Sequence, residues 1–204
     1  MPPRIDSDFP SSFFEAQLAR VYRHAVYARR LKSLGEHTYI SPYVTMQDMA
    51  RISVGARTQI SRGSLVQVVS SYEGRTYDPE IVIGDDVYLG RRCSVSCMNR
   101  ISIGNQVTFG DNVYVADSNH GYELLDRSVL RQPLVGGSIA IGEGAWLGYG
   151  VVVAGTVTIG AHTVVGANSV VTRSLPDRVV AVGAPARIVK RYDDAQGRWV
   201  RVDD

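Results

Sequence analysis

The sequence has little cysteine, little net charge and no long apolar run, and each shortage excludes a class of protein. Cys93 and Cys97 form one C-x3-C pair that matches no zinc or redox motif, so we expect two reduced, partly buried residues. Lys and Arg total 22 against 20 Asp and Glu, and a net charge of +2 is not that of a dedicated nucleic-acid binder. The absence of any run of about 18 apolar residues argues against a transmembrane helix. The start, MPPRIDSDFP, lacks the basic and apolar regions of a signal peptide, so we expect a cytoplasmic protein.

Glycine and aliphatic residues are plentiful, and they recur with a period of six. The 204 residues are 45% hydrophobic and include 20 glycines. The clearest run consists of Ile141, Leu147, Val153, Ile159, Val165 and Val171. A small residue follows each of these, and shorter runs of the same step begin at Val54, Ile83 and Ile103. A period of six fits neither an amphipathic helix nor a plain alternating strand.

A repeat of six predicts a triangular coil whose three short sides each bring one aliphatic residue to a central axis. Gly, Asn or Asp after the aliphatic residue is interpreted as a corner residue with positive φ, where a Cβ would clash. Stacked coils pair as parallel strands about 4.8 Å apart, so about six coils predict a prism roughly 30 Å tall. The sequence therefore predicts an all-β solenoid that needs a cap at each end.

This repeat resembles that of the hexapeptide-repeat acyltransferases, whose fold is a left-handed parallel β-helix. The resemblance covers about residues 36–192, and residues 141–193 are most similar to the galactoside, maltose and O-antigen acetyltransferase branch. It implies an enzyme of polysaccharide biosynthesis that uses acetyl-CoA as co-substrate, requires no metal and forms a homotrimer with each site between neighbours. We accordingly expect an N-terminal helical segment (1–35), a β-helix domain (36–182) and a C-terminal cap and tail (183–204).

Residues 12–34 are predicted to form an amphipathic helix. Ser12 and Glu15 match a capping box. The apolar stripe of this helix consists of Phe14, Leu18, Val21, Ala25 and Ala28. Five basic residues occupy the remaining positions. The preferred interpretation is that the helix packs on its own β-helix or on a neighbouring subunit, and peripheral contact with an anionic membrane surface is the alternative.

Two stretches, 67–80 and 121–140, break the period and are predicted to be loops that leave the prism at a corner, where specificity is commonly carried. His120, in DSNHGYE, stands at the base of the second loop, where an imidazole can move protons near pH 7. The other histidines, interpreted as structural or solvated, are His24, His37 and His162. The family's single catalytic histidine occupies the position of His120. The resemblance therefore implies that His120 is the general base that deprotonates an acceptor hydroxyl or amine.

The resemblance also implies a donor site and an acceptor site. The positions similar to those that line coenzyme A are Trp146, Tyr149, Ala167, Thr172, Arg173, Arg187 and Lys190. The expected acceptor contacts are Tyr88, Asp117, Asn119 and Glu123. Asp117, Glu123 or a backbone carbonyl would fix the tautomer of His120, and these alternatives stay open. Gly90 stands where galactoside-type enzymes have an asparagine, so we expect a surface polysaccharide, an O-antigen or a sugar precursor as acceptor rather than a simple galactoside or maltose.

Several other functions compete with this one. An N-acetyltransferase of a nucleotide-linked amino sugar is the first alternative, because an amine and a hydroxyl need the same base. A xenobiotic acetyltransferase is a more distant alternative. A γ-class carbonic anhydrase would need three zinc-binding histidines, whereas only His120 and His162 lie within the coils. A non-catalytic β-helix has no need of the DSNH segment. A covalent route through Ser94, Ser96 or Cys97 is rejected because nothing in the sequence pairs them with His120.

Overall fold

The chain winds through three sheets in turn, and each circuit adds one strand to each sheet. The computed structural model describes residues 13–202, apart from the side chains of residues 13–16 and 24. Within this part, the first and third sheets have six strands each and the second has nine. Coils pair in parallel and in register, as Ile101 does with Ile81 and Ile139. The architecture is the left-handed parallel β-helix that the repeat predicted, wound against the right-handed preference of most parallel connections.

Each sheet is a ladder of short strands, most of them two to four residues long. The first sheet consists of Ser33–Leu34, Ile52–Val54, Glu80–Ile83, Arg100–Ile103, Ser138–Ile141 and Val157–Ile159. The second consists of Tyr39–Ile40, Gln59–Ile60, Tyr88–Leu89, Thr108–Phe109, Trp146–Leu147, Val164–Val165, Val179–Val182, Arg187–Asp193 and Arg198–Arg201. The third consists of Thr45–Gln47, Leu65–Val68, Ser94–Cys97, Tyr114–Ala116, Val152–Ala154 and Val170–Val171. Two antiparallel pairs lie outside these sheets, Ser71–Tyr72 with Arg75–Thr76 and Ser118–His120 with Leu134–Gly136.

The core is a stack of side chains along the axis of the prism, one from each sheet in each coil. The inward residues of the four most regular coils are Ile83, Leu89, Val95, Ile103, Phe109, Val115, Ile141, Leu147, Val153, Ile159, Val165 and Val171. Each is at most 2% exposed. Full burial of such a side chain contributes about 1.5–3 kcal/mol. The step of six is thus confirmed as the spacing between successive inward residues.

The glycines that follow the inward residues have a different role from the one inferred from the repeat. Positive φ occurs three residues after the inward residue, as at Asn112 (60°) and Gly150 (67°), and not directly after it. At the position directly after, a side chain would meet the next coil. An added Cβ at Gly110 would lie 2.7 Å from the backbone nitrogen of Tyr149. The interpretation of these glycines as positive-φ corners is therefore wrong, because close stacking of coils, and not backbone torsion, requires them.

The N-terminal segment covers the open end of the first coil. It consists of an α-helix (Phe13–Tyr22), a π-helical turn (Arg23–Tyr27) and a last α-helical turn (Ala28–Arg30). The Arg23 guanidinium donates to the carbonyl oxygens of Thr38 and Gly35 at 2.7 and 2.9 Å, and the Tyr27 hydroxyl donates to that of Ser41 at 3.3 Å. Carbonyl groups at the end of the solenoid, which have no further coil to bond, thereby acquire donors.

The helix packs on its own β-helix, which was the preferred interpretation, but its predicted stripe and length are wrong. Tyr27 and Leu31 join the core, whereas Val21 is 60% exposed, and Ala25 and Ala28 are exposed. The π-helical turn changes the register of the residues that follow, so a stripe drawn with one helical period fails there. The helix ends at Arg30 because Ser33–Leu34 already pairs with the first sheet. Ser12 and the side chains of Phe14 and Glu15 lie outside the described residues. Among residues 13–202, no helix has the length and apolar character needed to cross a bilayer.

The C-terminal cap continues the second sheet. Arg187–Asp193 pairs antiparallel with Val179–Val182 and then with Arg198–Arg201. The Trp199 ring packs edge-on against Tyr192, with ring centroids 5.4 Å apart. This contact anchors the tail, for which the sequence showed no period.

The three corners of the prism differ, and both loops emerge from the same one. The first corner, between the first and second sheets, and the second corner, between the second and third, are tight turns with a positive-φ residue. His37 and His162 are two such residues, both exposed at the first corner. At the third corner the chain leaves after Val68 to return at Glu80, and leaves again after Ala116 to return at Ser138. The predicted loops therefore lie on one edge of the prism.

Candidate active site

His120 lies on a short ribbon at the third corner. The strand Ser118–His120 pairs antiparallel with Leu134–Gly136, which places His120 opposite Leu134. The imidazole is exposed, and its ring meets the ring of Tyr72 in a T-shaped contact with centroids 5.3 Å apart. The site thus presents a titratable ring to solution and supports it on one side with an aromatic wall.

A groove of about 350 Å³ runs along the outer face of the third sheet to His120. Its lining includes Gln67, Ser96 and Tyr114, which are outward residues of three successive coils. The amide of Gln67 donates to the hydroxyl oxygen of Ser96 at 3.1 Å. Amide and hydroxyl groups therefore line the groove between two tyrosine rings and an imidazole, an arrangement that can hydrogen-bond a hydroxyl-rich ligand and accept a proton from it.

The two loops hold each other beside His120. The Tyr72 hydroxyl donates to the carbonyl oxygen of Leu130 at 2.9 Å, and Arg131 lies 3.7 Å from the carboxylate of Glu73. The second loop is closed from within by Gln132, which is buried, and which both donates to and accepts from the backbone of Leu124. The position of Tyr72 against His120 therefore depends on contacts between loops that are far apart in the sequence.

Sequence reasoning missed four residues of this groove as site residues. They are Gln67, Tyr72, Ser96 and Tyr114. A signal existed for three of them, because Gln67, Ser96 and Tyr114 each adjoin an inward valine and so must point outward on a strand. The sequence pairs Ser96 with no base that would make it a nucleophile, and the structure places it in the groove of His120, where its hydroxyl accepts from Gln67. Tyr72 had no periodic signal because it lies in a loop.

Asp117 is not an acceptor contact, and the expectation that it touches the acceptor or the imidazole is wrong. Its side chain is 0% exposed, and its carboxylate accepts from the backbone N–H groups of Met98, Asn99 and Arg100 at 2.7–2.9 Å. Both oxygens are thus engaged on the preceding coil, away from solution.

The other predicted acceptor residues divide between two faces. Asn119 is exposed and lines the groove beside His120. Glu123 is exposed in the second loop. Tyr88 is half-buried on the second sheet, where it pairs with Gln59 and Thr108, and one chain does not bring it to His120.

The predicted donor residues lie along two edges of the prism. Thr172 and Arg173 are exposed at the third corner, because Thr172 follows Val171, two coils beyond the third-sheet strand that precedes His120. Tyr149 and Ala167 are exposed in successive coils at the second corner. Trp146, Arg187 and Lys190 are exposed on the second sheet and its C-terminal extension. Only the first of these groups shares an edge with His120.

The thiols are not available as nucleophiles. Cys93 and Cys97 are free and buried, as expected from the sequence. Burial raises the pKa of each thiol to about 12, and the neighbouring carboxylates of Asp111 and Asp117 act in the same direction. In the part of the chain that the structure describes, no three His, Cys, Asp or Glu side chains gather as a metal site would need.

A larger groove, of about 660 Å³, lies between the helix end and the first sheet. Its charges are already paired, since Glu80 bonds both Lys32 and Arg100, and Arg51 bonds Asp78. We therefore assign the chemistry to the smaller groove, which has the imidazole.

A family model and curated relatives match this chain. Residues 138–173 match the family described as bacterial transferase hexapeptide (six repeats). A probable acetyltransferase of Mycobacterium tuberculosis is 29% identical over 157 residues, which are 74% of this chain and 52% of the relative. The putative lipopolysaccharide biosynthesis O-acetyl transferase WbbJ of Escherichia coli K12 is 31% identical over 127 residues, which are 58% of this chain and 64% of the relative. The chain therefore spans about half to two thirds of the length of these relatives.

A solved structure shares the fold. The N-acyltransferase AntD from Bacillus cereus, in complex with dTDP and 3-hydroxybutyryl-CoA, superposes with a TM-score of 0.71 at 17% identity. The superposition covers 85% of this chain and 90% of AntD. At this identity the likeness concerns the β-helix alone.

Proposed function

Because the chain is a hexapeptide-repeat protein of the acyltransferase family, we propose that it is an acetyl-CoA-dependent O-acetyltransferase acting on a saccharide hydroxyl. The observation that carries the proposal is the exposed imidazole of His120 at a groove lined by Gln67, Ser96 and two tyrosines. The relative named for lipopolysaccharide biosynthesis supports a surface polysaccharide, an O-antigen or a sugar precursor as the acceptor.

In this proposal His120 acts as general base. Its imidazole takes the proton of the acceptor hydroxyl while the oxygen attacks the thioester carbonyl of acetyl-CoA. The oxyanion accepts a hydrogen bond from a backbone N–H of an adjacent coil. A C–O bond forms, the C–S bond breaks, and His120 returns the proton to the departing thiolate. Asn119 and Glu123, on either side of His120 in the sequence, are the proposed acceptor contacts.

Completion of the donor site requires a second copy of the chain. Arg173 shares an edge with His120, whereas Tyr149 and Ala167 lie at another corner. In a homotrimer, the second corner of one subunit can face the third corner of its neighbour, so that both groups line one coenzyme A site and Tyr88 reaches the neighbour's acceptor. Light scattering should then give three times the chain mass of 22.3 kDa, and a monomer at micromolar concentration would contradict the assembly.

The exposed face of the N-terminal helix is the proposed point of peripheral membrane contact. It combines Val21 with Arg20 and Arg29, and no acidic residue occurs between Gln17 and Leu31. Charge of one sign beside an apolar side chain suits an anionic bilayer surface. Sedimentation with phosphatidylserine vesicles tests this contact. Binding that fails at low salt, or that neutral phosphatidylcholine vesicles reproduce, would contradict it.

Two histidine variants test the proposed base. His120→Asn should lower kcat at least about 100-fold, since a general base contributes about 10²–10⁴-fold. His162→Asn is the matched control, because His162 is exposed at a corner with φ 53° and asparagine occupies the equivalent corner positions 112 and 168. The measurement is release of free coenzyme A thiol from acetyl-CoA with oligosaccharide acceptors. Equal rates for both variants would refute the role of His120.

The same assay decides between O- and N-acetylation. AntD, solved with dTDP, an acyl-CoA and, in a related variant, an amino sugar nucleotide, makes a nucleotide-linked amino sugar the second acceptor class to supply. Turnover of the amino sugar alone would replace the proposed function with N-acetylation while retaining His120 as base.

A further inference from the structure

We propose that Asp117 is a positioning residue that fixes the strand bearing His120. The inference rests on the proposed role of His120 as base. Asp117 lies three residues before His120, where the chain leaves the third corner. Because it is 0% exposed, it reaches no ligand in the groove and acts through the backbone alone.

The carboxylate of Asp117 joins two coils. One oxygen accepts from the N–H of Met98 at 2.7 Å, and the other accepts from the N–H groups of Asn99 and Arg100 at 2.8 and 2.9 Å. The thiol of Cys97 also lies 3.4 Å from the second oxygen. These residues form the turn by which the preceding coil passes the third corner. Bonds from a carboxylate to backbone N–H groups are about twice as strong as neutral ones, so this turn is a firm support.

The backbone of Asp117 holds the other end of the second loop. Its carbonyl oxygen accepts from the N–H of Gly137 at 3.0 Å. The neighbouring Gly136 approaches so closely that an added Cβ would collide with the same oxygen. Asp117 therefore joins the outgoing strand, the returning strand and the preceding coil at one point, and the ribbon extends from this point through three residue pairs to His120.

Other corners use a similar bond with a looser requirement. The carboxylate of Asp111 accepts from the N–H of Arg91 at 2.9 Å, and the amide oxygen of Asn105 accepts from the N–H of Asp85 at 2.9 Å. One acceptor oxygen is enough at these corners, and asparagine supplies it. At Asp117 both oxygens face N–H donors, so an asparagine would turn its own NH2 group toward one of them. The same substitution is thus conservative at Asp111 and disruptive at Asp117.

A loosened anchor displaces the imidazole without removing it. Misplacement of a catalytic group by about 1 Å can cost about 10²-fold in rate. We expect Asp117→Glu, which keeps the charge and lengthens the side chain, and Asp117→Asn to lower kcat about 10- to 100-fold. The KM for acetyl-CoA should stay within about twofold, because no donor residue is touched. Asp111→Asn is the matched control and should keep kcat within about twofold.

The decisive readout is the imidazole of His120 itself, followed by two-dimensional NMR across a pH titration. Its signals should move in folded Asp117→Glu and stay unchanged in Asp111→Asn. This arm is independent of turnover, so a protein that acetylates no acceptor would overturn the proposed function and leave the positioning role decided. Folded Asp117→Glu with wild-type kcat and wild-type His120 signals would overturn the positioning role.

Hydrogen exchange on the wild-type protein covers the outcome in which neither Asp117 variant folds. The amides of residues 98–100 and of Gly137 should exchange through one common opening, because one residue holds both. Independent exchange of the two groups, with 98–100 protected while Gly137 opens, would contradict the anchor.

Discussion

Gly110→Asn should destabilise the β-helix, whereas Gly150→Asn should not. Both glycines belong to the same repeat, and asparagine is tolerated at positive φ. If torsion were the reason for glycine, both substitutions would be mild. At Gly110, however, an added Cβ lies 2.7 Å from the nitrogen of Tyr149 and 3.0 Å from the carbonyl carbon of Gly148. Ordinary contacts between heavy atoms lie at about 3.5–4.0 Å, so the backbone of the next coil must move.

The cost follows from what that movement disturbs. Gly110 donates to the carbonyl oxygen of Leu147 at 2.8 Å, a bond between the two coils that any separation stretches. Overpacking of a tightly packed site costs about 1–3 kcal/mol. For a chain of this size, about 2 kcal/mol corresponds to a decrease in Tm of about 4–8 °C.

Gly150 provides the contrast. Its φ is 67°, and an added Cβ meets only the side chain of Asn168, which can turn away. Asn112 and Asn168 occupy the equivalent positions of the coils on either side, with φ of 60° and 58°. Gly150→Asn should therefore stay within about 0.5 kcal/mol of wild type, since the loss of unfolded-state freedom offsets any strain.

Urea unfolding followed by circular dichroism measures both variants. All samples need one protein concentration, because assembly would make the midpoint depend on it. A Gly110→Asn variant as stable as Gly150→Asn would refute the stacking argument. A destabilised Gly150→Asn would show that the asparagine corners are not interchangeable.

Tyr72→Phe keeps the ring against His120 and loses only the bond to Leu130, so kcat should fall less than about threefold, whereas Tyr72→Ala should lose about tenfold; equal losses in steady-state kinetics would count against the aromatic wall. Burial raises the pKa of the Cys93 and Cys97 thiols from the usual 9.0 to about 12. The unfolded chain therefore releases these protons at lower pH than the folded chain, and the free energy of unfolding should decrease as the pH rises from about 9 to about 12. A double Cys93→Ala, Cys97→Ala variant should show a flatter pH dependence in urea titrations, and an unchanged slope would contradict this assignment. The same thiols should stay silent toward a thiol reagent in the native protein at about pH 8, and rapid labelling would show that they are not buried.

The fold was predictable because the repeat is local. Ile141, Leu147 and Val153 meet the same environment in turn, so six residues of pattern, once identified, describe every coil. The failures also have physical causes. The function of Gly110 depends on a residue of the next coil, and the stripe of the N-terminal helix depends on a π-helical turn that no periodicity signals. Tyr88 had a strand position but no indication of which face it shares with His120.

The sequence by itself determined the solenoid, its inward residues, the two loops and the importance of His120, because all of these follow from a period or from its interruption. Only the tertiary structure decided what surrounds the histidine. Tyr72 reaches it from a loop about 50 residues earlier because both loops leave by one corner. Asp117, a neighbour in sequence and a candidate for the acceptor, turns inward instead, because the backbone N–H groups of the preceding coil lie there and the groove does not. Contacts between coils and loops carry no periodic signature, and for that reason they can be read only from the folded chain.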